Sequence, residues 1–93
     1  MTSYTIAYKT PKSDKFNPIV FMGGPIDDAR KEAVRQHMSW NRKWHNNETK
    51  VAVLKDGKMF GQVYLLYGKG YMWKPVSGGE YPIHDDGSIG KRR

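Results

Sequence analysis

The chain opens on a strict alternation. Tyr4, Ile6 and Tyr8 share one side of the run Tyr4 to Thr10, the period of two that marks a strand buried on one face. Polar residues from Pro11 to Asp14 end it, and Phe16 to Met22 reads as a second strand with Pro18 near its start, where a missing N–H donor does least harm. Gly23-Gly24-Pro25 then breaks the chain. From Asp28 to about His45 the period changes. At 100° per residue Ile26, Ala29, Ala33, Val34, His37, Trp40 and Trp44 fall on one arc, the stripe of a helix that packs on a sheet. Asp27 or Asp28 would cap its start, an i,i+4 pair of Asp27 with Lys31 would support it, and Asn46-Asn47 would stop it.

Val51 to Lys55 predicts a third strand. Asp56-Gly57 follows, the strongest turn signal in the chain, because both central residues of a type I′ hairpin need positive φ. Met59 to Tyr67 predicts a fourth strand, in which Gly61 marks a bulge or a close backbone approach. Gly68-Lys69-Gly70 turns into a fifth, Tyr71 to Lys74, ended by Pro75. Nothing after that has a period. The expectation is an α+β fold, β-β-α-β-β-β, with one long helix on one face of an antiparallel sheet of four or five strands. Residues 1–75 would form the domain and 76–93 a mobile C-terminal tail. The second sheet face would stay open and carry several of Tyr64, Tyr67, Tyr71 and Trp73, depending on register.

Composition narrows the function. At 93 residues the chain has room for one domain and a thin core, which excludes a doubly wound cofactor domain or a barrel enzyme. With no cysteine it has no thiolate nucleophile, disulfide or zinc finger, and with no secretory leader pattern the expected home is the cytoplasm. No apolar run approaches the roughly 20 residues needed to span a bilayer. The net charge is +7, but it is unevenly placed: residues 76–90 hold Glu80, Asp85 and Asp86 and no Lys or Arg, while Lys91, Arg92 and Arg93 close the chain. A field of that sign draws phosphate backbones, anionic membranes or acidic protein surfaces.

Catalytic chemistry finds little to use. His37 lies in the helix stripe with no carboxylate on its face to orient it, so it reads as a core-edge histidine with one hydrogen bond. His45 sits where the helix dipole favours an imidazolium. His84-Asp85-Asp86 offers three ligand types in a row, but adjacent side chains diverge, and a metal site needs ligands held by packing. No serine stands in a strained Gly-x-Ser-x-Gly elbow. The chain is therefore expected to be a non-enzyme without cofactor or metal.

Basic and aromatic residues interleave in two places. One is the helix flank, Lys31, Arg35, Arg42 and Lys43; the other is the last hairpin, Tyr64, Tyr67, Lys69, Tyr71, Trp73 and Lys74. Rings stack on bases and cations hold phosphates, so such a sheet could bind single strands directly. Lys58, Phe60, Gly61 and Val63 resemble the first ribonucleoprotein signature of the RNA-recognition motif family, whose stacking rings are replaced here by Gln62 and Leu65 and whose second helix has no counterpart. The match reads as a convergence of pattern. In size and element order the whole chain also resembles small phage-encoded accessory inhibitors, anti-CRISPR proteins among them. That resemblance rests on no motif and transfers no residue. It implies a non-catalytic protein that occupies a host protein or nucleoprotein complex, in the host cytoplasm, through its basic and aromatic surface. Direct, sequence-independent binding of DNA or RNA is the alternative.

Overall fold

A computed structural model describes residues 3–10, 12–44, 50–66 and 68–92, with the backbone alone over 41–44. The elements are β1 (Tyr4–Lys9), β2 (Asn17–Met22), α1 (Ile26–Trp44), β3 (Lys50–Lys55), β4 (Lys58–Leu66), β5 (Gly70–Pro75) and β6 (Tyr81–Pro82). The strands form one antiparallel sheet in the order β2-β1-β3-β4-β5-β6. The α+β order predicted from the sequence holds, with one strand more. No described helix is long and apolar enough to cross a membrane.

Local chemistry fixes the β3–β4 hairpin. Asp56 has φ 50° and Gly57 φ 84°, the two positive values a type I′ turn demands. Asp56 also joins the hairpin to the chain start: its N–H donates to the Ser3 carbonyl at 3.1 Å. The helix starts at Ile26, so Asp27 and Asp28 sit inside the first turn rather than at the cap, where their charge still favours the dipole. Asp27 pairs with Arg30 at i,i+3, not with Lys31.

The core lies between α1 and one sheet face. Tyr4, Ile6, Val51, Val53, Val63 and Trp73 point up from the strands, and Ala29 and Ala33 let the helix settle close over them. Alternation along each strand sends Ala7, Ala52 and Met72 to the other face, and they too are buried.

The register corrects the expected placement of the rings. Val63 pairs with Trp73 and Leu65 with Tyr71, so both rings share the face of Val63, beneath the helix. Trp73 is only 2% exposed. Of the four rings expected on the open face, Tyr64 alone lies there among the described residues; Tyr67 falls outside them. Phe60, the ring that carries the RNA-recognition echo, also packs inward. A register shift between Val53 and Leu54 turns it toward Tyr4 and Trp73, whose ring centroids lie 6.2 and 6.0 Å away.

The expected domain end at residue 75 is too early. Trp73 pairs with Tyr81 in β6, the Ile83 N–H donates to the Tyr71 carbonyl at 3.0 Å, and Ile83 bridges Ile89 around a tight turn. Gly87, at the tip of that turn, lies against the backbone of Asp27, and its carbonyl accepts a 2.8 Å hydrogen bond from Arg30 Nε. The stretch read as a loose tail thus extends the sheet and returns to the start of the helix.

Candidate functional site

The helix flank and the last hairpin meet in a groove. It runs between α1 and the segment formed by β5, β6 and the turn after β6, and has a volume of about 720 Å3. Val34 and Met38 from the helix, with Tyr71 and Ile83 from the sheet side, give it an apolar lining. Lys31, Glu32 and Arg35 line it from the helix, Lys69 from the β4–β5 turn, and His84 and Asp85 from the C-terminal turn. Met38 is 47% exposed, a large apolar side chain kept in water.

The charges at this groove alternate in sign. Arg35 donates to Glu32 from Nε at 2.8 Å, the Gln36 amide adds a 3.2 Å bond to the same carboxylate, and the pairing raises the Arg35 pKa. Lys31 and Lys69 have no such partner among the described residues. The groove is therefore amphipathic rather than uniformly basic.

Beneath it, His37 is buried, and its Nδ1 lies 3.0 Å from the Tyr71 hydroxyl, with the two rings edge to face. Burial lowers the His37 pKa and raises that of Tyr71, so both are held neutral near pH 7. A neutral imidazole bonded to a neutral phenol, with no carboxylate among the described residues bonded to either, positions the groove wall. It matches the one-bond core-edge histidine expected from the sequence.

The remaining expected residues fall elsewhere. Trp73 is enclosed: Phe60 tilts against it, and the Arg30 guanidinium sits 5.4 Å from its ring centre. Tyr64 and Lys74 belong to the opposite sheet face, and with Lys50, Gln62 and Glu80 they border a smaller depression of about 300 Å3. Arg42 and Lys43 lie in the last helical turn with side chains outside those described; His45 and the Asn46-Asn47 stop are outside altogether. No three His, Asp or Glu side chains gather in a metal-holding arrangement among the described residues. Asp86 serves its own turn, accepting from the Ser88 N–H at 2.9 Å and hydroxyl at 2.6 Å, and these bonds lower its pKa.

Sequence reading missed Arg30 and Met38. Arg30 stood beside Ala29 on the apolar arc, and its position was the available sign that a cation would be buried there. Met38 carried no sign, because only the tertiary return of the chain gives it the groove as a neighbour. Comparison with known proteins finds no matching family model, no matching curated protein and no matching solved structure.

Proposed function

We propose that this chain is a non-catalytic binding protein that occupies a host protein or nucleoprotein complex, acting as an inhibitor or adaptor of the phage accessory type. The observation that carries the reading is the groove: an apolar lining of Val34, Met38, Tyr71 and Ile83, edged by charges of both signs, with Met38 exposed at 47%. Methionine, tyrosine and arginine are the residue types that protein interfaces favour, and a rim of both signs sets orientation rather than bulk attraction. A segment of a partner protein with an apolar anchor and flanking charges suits it. Stacking of bases on the hairpin is the weaker reading, since Trp73 is spent in the core and Tyr71 is bonded to His37.

The test is capture of a partner from host lysate by immobilised protein after nuclease treatment, with Met38→Asp alongside. The expected result is a stoichiometric protein partner that survives nuclease and is lost with Met38→Asp, while the thermal midpoint of the variant is preserved. Equal capture by both proteins, or loss of every partner to nuclease, would overturn the assignment.

A further inference from the structure

The topology gathers lysines at one end of the sheet. Lys9 closes β1 and Lys50 opens β3, and the register sets them directly opposite each other. Lys12 and Lys15 lie in the loop that returns from Lys9 to Asn17, which pairs with Tyr8. Val51 pairs with Val63, so the far end of β4 and the turn carrying Lys69 project in the same direction. Trp40 stacks on Tyr8 with ring centres 4.5 Å apart, which brings the last helical turn, the one holding Arg42 and Lys43, to this end too. Among the described residues the acidic ones here are Asp14 and Glu80, which lines the depression beside Lys50 and Tyr64; Glu48 falls outside them. Asp56 turns at the other end with Lys55 and Lys58, while Asp28 and Asp85 line the groove that Lys69 also lines.

Two features make the basic end more than a solvated surface. Like charges facing each other across a ladder destabilise a sheet, and Lys9 and Lys50 do so with no described carboxylate bonded to either. The other facing lysines, Lys55 and Lys58, have Asp56 between them. Apolar surface and rings also adjoin the cations: Lys9 Nζ lies 6.0 Å from the centre of the Phe16 ring, and Tyr64 borders the 300 Å3 depression with Lys50 and Lys74.

We infer that this end of the sheet binds the phosphate backbone of single-stranded nucleic acid, with Lys9, Lys12, Lys15, Lys50 and Lys69 on the phosphates and a base lying beside Tyr64. Lysine is a compact point charge that suits phosphate oxygens without a fixed fork geometry. Contact is then indifferent to sequence and strongly salt-dependent, with rings adding stacking. The site meets the α1–β5 groove at Lys69, which lines both. A protein partner seated in the groove and a strand at the basic end are compatible, which is the geometry a nucleoprotein target presents.

Fluorescence anisotropy with a labelled oligothymidylate of about 20 nucleotides tests it. Five phosphate contacts to a single strand predict a log–log salt slope of about −3 to −4. Lys50→Glu should weaken binding by about tenfold or more and flatten the slope by at least about 0.7. The same change relieves the repulsion with Lys9, so its thermal midpoint should hold or rise, which separates lost contact from lost fold. Lys58→Glu removes the same charge at the far end and should leave affinity within about threefold, because screening confines each charge to about 10 Å. Met38→Asp should bind the oligonucleotide as wild type does. Equal weakening by Lys58→Glu and Lys50→Glu, tighter binding to duplex of the same length, equal competition by poly-glutamate, or no binding at low salt would each overturn the inference.

Discussion

Gly61 offers a direct measure of how tightly the core is built. It lies on β4 between Val53 and Pro75, and Trp73 from β5 lays its indole across it. A Cβ at this position would stand 2.5 Å from the Trp73 Cη2 and 3.0 Å from Cε2. Gly61 has an ordinary φ, so alanine meets no backbone strain and the cost is steric. The ring cannot rise, because Arg30 covers it and Phe60 leans on its side. Overpacking of that kind costs about 1–3 kcal/mol, and the clamped ring argues for the upper end. Against it stands the roughly 0.5–1 kcal/mol that alanine gains over glycine within a strand. The net is about 2 kcal/mol of destabilisation, a fall of about 8–16 °C in Tm for a domain of this size. Thermal and urea unfolding of Gly61→Ala followed by circular dichroism would measure it. Trp73→Phe vacates the space the new methyl needs, so the double variant should be more stable than the two single losses summed by about 1 kcal/mol or more. A neutral or stabilising Gly61→Ala, or strict additivity with Trp73→Phe, would mean that the indole does not rest on the glycine.

Two more outcomes follow from buried groups. Arg30→Met keeps the length of the side chain but removes the 2.8 Å bond to the Gly87 carbonyl and the pair with Asp27, at a cost of about 1–3 kcal/mol. Limited proteolysis should then cut within residues 76–92 faster than in wild type, and an unchanged cleavage pattern would show that Arg30 does not hold this segment. His37 sets a pH dependence. Its folded pKa lies below the unfolded value of about 6.5, so between the two the unfolded chain binds more protons, and stability falls as pH drops below about 6.5 before levelling beneath the folded pKa. Tm measured from pH 7.5 to pH 5 should lose part of this slope in His37→Phe; an identical slope in wild type and His37→Phe would refute the assignment.

The parts of the fold that the sequence made legible are those decided within a few residues. Tyr4, Ile6 and Tyr8 share a face because a strand alternates, and Asp56-Gly57 turns with two positive φ values because few other pairs can. The helix arc likewise placed Ala29, Ala33 and His37 against the sheet. What stayed hidden depends on pairing across distance. Whether Trp73 faces helix or solvent is decided by its register with Val63, and a slip of one residue would reverse it. Phe60 turned inward because of a register shift that no pattern of eight residues encodes. The bond from Arg30 to Gly87 spans 57 positions, and the stretch around Gly87 has no hydrophobic period to announce that it returns. For the site, Lys31, Arg35, Lys69 and Tyr71 were read as two separate surfaces and are one groove; Tyr64 and Lys74 were read with them and lie on the opposite face.

The burial of Trp73 has a consequence for how a chain this small divides its residues. A domain of 93 residues buries a modest share of its surface, so a few large rings must supply a disproportionate part of the driving force. Tyr4, Trp73 and Phe60 meet that need in one connected cluster, with Arg30 closing it from above. The aromatic fraction of 13% is therefore largely the requirement of a thin core, not a reserve for ligands. Lysine side chains remain, and their arrangement is less constrained by folding, since exposed lysines contribute little to stability wherever they stand. Lys9 facing Lys50 is thus a placement that folding alone does not favour. Core rings answer to stability; the lysines at the end of β1 and the start of β3 are where a functional constraint has room to show.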